Sequence, residues 1–288
     1  MRPFLLVFLL LIATAGLART TDHGCCRREC MTDSMMLSRP VTSTYSLEIG
    51  GTGLRETYLS PMRYEGLTLA AAGNWQKAMP FAPRMALMDF DARVAMFPRL
   101  VNPGGNALMQ GFELEFFWGL GVYYALPCNF TVSIEGGPQL LGGTAILLRN
   151  SNNPVGVNLS ATIAGKGQIS WKGRIGNLPV SAALSARIPL AGTFFMPGYG
   201  ETFFEILVGN HAGLVHPAWP GNHFRINALC SFRMDFGRTA LEVGYRMIAE
   251  RTHSNNLTNS QFSGCLSIGV IPHGLGRKNR QSEIRPHE

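Results

Sequence analysis

Apolar and polar residues alternate with a period of two along most of the chain after residue 45. Between Gln110 and Tyr124 the even positions Phe112, Leu114, Phe116, Trp118, Leu120 and Val122 are large and apolar. Gly111, Glu113, Glu115, Phe117, Gly119, Gly121 and Tyr123 stand between them. Successive side chains of an extended strand point to opposite faces, so this stretch reads as a strand with one apolar and one polar face. Phe224 to Phe236 repeats the pattern, with Phe224, Ile226, Ala228, Cys230, Phe232 and Met234 opposite Arg225, Asn227, Leu229, Ser231, Arg233 and Asp235. In 239–250 Leu241, Val243, Tyr245 and Met247 oppose Glu242, Gly244, Arg246 and Glu250; in 85–97 Met88, Phe90, Val94 and Met96 oppose Asp89, Asp91 and Arg93. Segments 128–135, 157–172, 178–188 and 262–271 follow, and so, less cleanly, do 45–54 and 66–77. The pattern predicts an all-β chain of about ten strands.

Two architectures accept such strands. A soluble barrel or sandwich turns the apolar face inward; a membrane barrel turns it outward and keeps charge in the lumen. The strands are long, where soluble ones centre on about five or six residues, and the polar face carries charges of both signs. Connections alternate in length: Ala78–Pro83, Leu126-Pro127, Arg174–Pro179 and Gly237-Arg238 are short. Pro98–Ala107, Leu148–Gly156, Pro189–Gly221 and Arg251–Gln261 are longer, and Arg55–Pro61 is modest. Short turns on one side and longer loops on the other are the habit of outer-membrane barrels. The expected fold is therefore a single antiparallel up-and-down transmembrane β-barrel of about ten strands. Twelve is the alternative, if Glu201–Gly209 pairs with another strand in the long insert.

That assignment places Glu48, Asp89, Asp91, Glu113, Glu115, Glu135, Asp235, Glu242 and Glu250 in the lumen. Arg93, Lys166, Lys172, Arg187, Arg225, Arg233 and Arg246 join them. The candidate network is Asp89, Asp91, Arg93, Glu113, Glu115, Arg187, Arg225, Arg233, Glu242 and Arg246. A barrel this narrow is commonly filled by side chains, so mutually neutralising ion pairs are the expectation, with a lined conduit or binding cavity as the sharper alternative. The insert Pro189–Gly221, rich in Phe194, Phe195, Met196, Tyr199, Phe203, Phe204 and Trp219, is expected to form an aromatic outer lid, because an exposed loop so apolar would be a liability.

The N-terminus points to an exported protein. Residues 1–18, MRPFLLVFLLLIATAGLA, place Arg2 before an apolar run from Phe4 to Ile12 and small residues at Ala13, Ala15, Gly16 and Ala18. This is the pattern of a cleaved export signal, and the run falls short of the ~20 residues a membrane helix needs. The expected organisation is a signal peptide at 1–18, a flexible periplasmic segment at 19–43, a barrel at 44–273 and a polar tail at 274–288. Composition agrees, with 46% hydrophobic and 15% charged residues in a chain of 288. The net charge of +7 sits largely at turns and in the tail from Arg277 to Arg280. No basic stripe interleaved with aromatics suggests nucleic acid. Six cysteines are too few for a disulfide scaffold, and the Cys25, Cys26, Cys30 cluster lacks a second ligand pair for a metal.

The motifs Arg55-Glu56-Thr57-Tyr58-Leu59-Ser60-Pro61, Tyr64-Glu65-Gly66 and Asn150-Ser151-Asn152-Asn153-Pro154 occur in that order. Met196-Pro197-Gly198-Tyr199-Gly200-Glu201-Thr202-Phe203-Phe204-Glu205-Ile206 follows, then Gly209-Asn210 and Gly213-Leu214-Val215-His216. In this order they resemble a family of uncharacterised outer-membrane β-barrels, a domain of unknown function, from Bacteroides-type Gram-negative bacteria. The resemblance covers roughly residues 44–273 and implies fold and location but no activity. It marks Tyr58, Ser60, Pro61, Tyr199, Gly200, Glu205, Asn210 and His216 as family-motif loop residues. The chain departs from it after Ile271-Pro272-His273-Gly274, where a polar extension follows instead of a terminal aromatic.

Candidate chemistry gathers on the outer side, where His211, His216, His223 and His253 accompany Ser254, Asn255, Glu201 and Glu205. A Ser–His–acid set is recognised by geometry rather than order, so a lipid hydrolase or acyltransferase stands as an alternative, although no Gly-x-Ser-x-Gly elbow occurs. A soluble lipocalin-like ligand-binding barrel in the periplasm is the further alternative. No catalytic residue, metal or cofactor is assigned. The sequence thus reads as a cell outer-membrane protein of structural, interaction or small-solute-passage type. Its expected partners are outer-membrane lipid and the barrel-assembly machinery.

Overall fold

The computed structural model describes residues 41–78, 86–150, 153–198, 200–201, 205, 208–209 and 213–272. The expected leader at 1–18, the cysteine cluster and the tail at 274–288 lie outside the described residues. Eleven strands follow in chain order: β1 (Val41–Arg55), β2 (Tyr64–Ala78), β3 (Ala86–Val101), β4 (Leu108–Leu126), β5 (Phe130–Leu147), β6 (Val155–Ile175), β7 (Leu178–Phe195), β8 (Val215–Ala218), β9 (His223–Asp235), β10 (Thr239–Ser254) and β11 (Leu257–Pro272). Each pairs antiparallel with its neighbour, and β1 closes the ring on β11 with Tyr45 opposite Val270 and Arg55 opposite Ser260. The result is a closed ten-strand antiparallel barrel with β8 as one short extra strand. Among the described residues no helix is long and apolar enough to cross a membrane.

The predicted parity is what the strands show. On β4 Phe116, Trp118, Leu120 and Val122 are exposed on the outer wall, while Glu113, Glu115 and Phe117 are buried inside. The same holds round the ring: Leu47, Met96, Ile134, Leu140, Ile163 and Ile268 face outward, all half exposed or more. A lipocalin-type barrel has the reverse arrangement, so that alternative is set aside. At the end where β1 begins and β11 finishes, Trp75 Nε1 donates to the Tyr45 hydroxyl at 3.2 Å. Its ring lies 5.7 Å from that of Tyr45 and 5.3 Å from that of Phe90. Trp171 stands directly opposite Phe130 in the same region.

Three details depart from the sequence expectation. Arg251–Gln261 is not a long loop: β10 and β11 continue to a two-residue turn at Asn255-Asn256, whose φ values are 47° and 60°. Polar residues on both faces hid the strands there, because that stretch rises beyond the apolar band and loses the period-two contrast. The long insert also adds strand near both of its ends. β7 runs on to Phe195, pairing with β9 from Val180 to Arg187 and with β8 from Gly192 to Phe195. Most of Glu201–Gly209, which the twelve-strand alternative needs, lies outside the described residues. Gly237-Arg238, finally, belongs to a connection of residues 236–238.

The tight turn carries a prediction. Left-handed backbone costs a residue with a Cβ about 1–2 kcal/mol, least for Asn and Gly and most for β-branched side chains. Replacing Asn256 with Val should lower the unfolding free energy of the detergent-solubilised barrel by that amount, read from its denaturant midpoint, whereas Asn256→Gly should leave it unchanged or slightly raised.

Candidate functional site: the sealed lumen

The interior is built in layers. At the end where β1 passes to β2, Leu54, Tyr64, Phe97, Leu100, Met109 and Leu147 turn inward from the strand ends, and Tyr58 and Leu59 of the β1–β2 connection pack among them. Phe194 and Met196 join from the β7 end. The expected aromatic lid is thus only partly right. The insert gives Phe194 and Met196 to the plug, but Trp219 is exposed, and the strap at 56–61 fills the centre. Tyr199, Phe203 and Phe204 are outside the described residues.

Below this plug lies a layer of buried charge. β4 presents Glu113 and Glu115 two residues apart on its inner face. Arg225 of β9 reaches both, donating through Nη2 at 2.7 Å to Glu113 and 2.8 Å to Glu115, and through Nη1 to Glu250 of β10. Arg187 of β7 bridges Glu115 to Asp91, which it meets at 2.9 Å. Lys166 of β6 contacts Asp89 and, at 2.8 Å, Asp91. Arg93 joins Glu113 at 3.3 Å to Glu48 at 2.9 Å, and Arg246 holds the other oxygen of Glu48 at 2.6 Å. Neutral amides fill in: Gln139 donates to Glu115, Asn74 to both Asp89 and Asp91, and Asn158 to Glu250. The Arg187 guanidinium also lies 4.8 Å from the centre of the Phe117 ring.

Of the candidate network, the structure brings Asp89, Asp91, Arg93, Glu113, Glu115, Arg187, Arg225 and Arg246 into one connected set. Arg233 and Glu242 pair with each other at 3.0 Å, near the β9–β10 connection and apart from it. Glu48, Lys166 and Glu250 belong to the connected set as well. The amides that complete it carried no sequence signal, since Asn and Gln on an inward face look the same whether they bridge charges or meet water. The lumen is asymmetric. Arg93, Glu113, Glu115 and Arg225 are almost wholly buried, while Asp91 and Arg233 keep partial solvent access.

The family-motif residues are dispersed. The Tyr58 hydroxyl donates to the Glu201 carbonyl at 2.6 Å, and the Ser60 hydroxyl is met by the Met62 amide at 3.3 Å. Pro61, Gly200 and Glu205 are exposed; Tyr199 and Asn210 lie outside the described residues. His216 Nε2 is 3.2 Å from Asn255 Nδ2 and 3.1 Å from the Met196 carbonyl. His223 stacks on Phe194 and meets the Thr252 hydroxyl at 3.0 Å; His253 meets that of Thr258 at 2.8 Å. No serine hydroxyl hydrogen-bonds a histidine among the described residues, and His211 is outside them. Among the described residues no group of His, Cys, Asp or Glu is placed to hold a metal ion. Cys128, Cys230 and Cys265 are free thiols.

The β1–β2 strap adds a residue that sequence reasoning did not single out. Glu56 is buried beneath the plug, with the Asn259 amide donating to its carboxylate. Burial with no compensating cation, aided by the nearby Glu250 carboxylate, pushes its pKa up to about 8. The Tyr58 hydroxyl is also pushed up, by burial and by Glu201 and Glu205. A Glu in a short polar connection reads as solvated, and nothing local marks it otherwise.

The family described as "Protein of unknown function (DUF3316)" matches residues 4–280. Among curated proteins none matches this chain. Among solved structures, the transport unit of the autotransporter AIDA-I from Escherichia coli is 8% identical, with a TM-score of 0.42, over 81% of this chain and 90% of that one. Neisserial surface protein A is 8% identical, with a TM-score of 0.31, over 81% and 98%. The translocator domain of the autotransporter NalP from Neisseria meningitidis is 10% identical, with a TM-score of 0.34, over 81% and 88%.

Proposed function

We propose, of a chain that belongs to the DUF3316 family of proteins of unknown function, that it is an integral outer-membrane barrel with a structural or interaction role and no open conduit through its centre. The supporting observation is the pairing of an apolar outer wall with an interior blocked twice, by the apolar plug and by the Arg225–Glu115 layer beneath it. Water-exposed apolar patches of this extent are rare on soluble monomers, and a closed sheet leaves no strand edge for lipid to meet. The girdle of Tyr45, Trp75 and Phe90 suits a headgroup boundary. On this reading residues 1–18 are a cleaved leader and the assembly machinery of a Gram-negative, Bacteroides-type cell inserts the barrel. The ends of β1 and β11 then face the periplasm and the strap at 56–61 faces outward.

Two measurements on the detergent-extracted full chain test this. Mobility in SDS should shift on boiling, and the protein should sit in the outer-membrane fraction. Recovery from the soluble periplasm without a shift defeats the membrane assignment. Inserted in a planar bilayer, the unboiled barrel should show no steady conductance at neutral pH. A stable open-channel current there removes the sealed-lumen reading while leaving the membrane one standing.

A further inference from the structure

The strap at 56–61 is held by a chain of contacts centred on Glu56. The Glu56 carbonyl accepts from the Leu59 and Ser60 amides at 3.0 and 2.8 Å, folding the segment into a turn. Asn259 of β11 donates to the Glu56 carboxylate, and its own Oδ1 accepts from the Thr57 amide at 3.0 Å and the Thr57 hydroxyl at 3.1 Å. The Thr258 amide donates to the Thr57 hydroxyl at 3.0 Å. From the other side Asn150 Nδ2 donates to the Leu59 carbonyl at 2.7 Å. At Gly156 of β6 an added Cβ would stand 3.2 Å from Glu56 Cγ and 3.3 Å from Leu59, so wall and strap are in direct contact. The charged and titratable groups facing this carboxyl are few. β10 contributes Glu250, whose charge is taken by Arg225 of β9, and His223 of β9 lies beyond, on Thr252. β11 and β6 present the neutral Asn259, Gly156 and Asn158. On the strap itself stands Tyr58, which burial and neighbouring acids keep protonated, and just beyond it lies the exposed pair Arg63–Glu65.

We propose that residues 56–61 are a releasable strap over the outer mouth of the barrel, latched by the protonated Glu56 carboxyl and freed when that carboxyl ionises. The inference goes beyond the structural role above and requires only the closed barrel, not its membrane. A protonated Glu56 is a neutral group in a neutral site. An ionised one is a buried anion beside Glu250, met only by the neutral donors of Asn259 and the Tyr58 backbone and by no cation, and moving the strap into water relieves it.

The sign is fixed by linkage. The docked carboxyl titrates at about 8, the undocked one near the ordinary value of about 4.3. Docking is therefore at full strength below the lower value. It weakens about tenfold per pH unit between the two and levels off above the upper. Release uncovers the Leu59 and Tyr58 side of the plug and leaves the Arg225 layer below intact.

Hydrogen exchange of residues 55–63 in the micellar full chain, corrected for the intrinsic pH dependence of exchange, reads this directly. Between pH 6.5 and 9.5 the wild-type strap should lose protection by at least tenfold relative to β4, while Glu56→Gln keeps it at both ends. Labelling of Leu59→Cys by a charged maleimide, normalised to the exposed Met62→Cys, gives the same answer without the Gln variant. It should rise at least tenfold over that range. Protection that is flat with pH, that falls equally in Glu56→Gln, or that is lost together with β4 overturns the proposal.

Discussion

Arg225→Ala should lower the unfolding free energy of the barrel by about 3–5 kcal/mol, the usual cost of removing one partner from a buried charge cluster. Arg225 is 1% exposed and meets Glu113, Glu115 and Glu250 at once. Its loss falls unevenly. Glu115 keeps Arg187, Gln139 and Asn227, and Glu113 keeps Arg93. Glu250 keeps only neutral donors, Asn158 at 3.0 Å and Thr252 at 3.4 Å. Adding Glu250→Gln to the alanine variant should therefore recover part of the loss, so that the double change costs less than the sum of the singles. Denaturant midpoints in micelles, or the temperature of the SDS mobility shift, measure both. A loss under about 1 kcal/mol would mean that water enters and solvates the carboxylates, and the layer would then be no seal.

Leu140→Arg should cost about 2–4 kcal/mol for a barrel in lipid and close to nothing for one in water. Leu140 stands outward near the middle of β5, with Phe116 and Ala161 opposite it on the flanking strands and its own side chain 55% exposed. No internal contact explains a large loss at so open a position, which makes the substitution a clean report of the outer medium. Met62→Arg, on the β1–β2 connection, is the control and should change stability by less than about 0.5 kcal/mol. Equal, small effects at both sites would show that water surrounds the wall.

Most of the wall and the direction of the side chains on it were legible because alternation is local. Two neighbouring residues on a strand point opposite ways whatever the rest of the chain does. Ten stretches of that pattern with short and long connections therefore yield a ring of strands, with Asp89, Glu113, Glu115 and Arg225 on its inner face. Where the contrast between faces fades, as it does from Thr252 to Gln261, the same reading takes strand for loop.

Which inward charge meets which was decided by closure and register alone. Glu48 receives Arg93 from β3 and Arg246 from β10, strands far apart in sequence that only the closed ring sets on either side of it. The strap belongs to the same class. Nothing near Glu56 in the sequence foretells burial, because the groups that bury it, Gly156, Glu250 and Asn259, come from three other strands. Period and polarity act between residues one or two positions apart, and so the sequence by itself determines the strands and their faces wherever that contrast holds. Burial and pairing act between strands, and they exist only once the ring has closed.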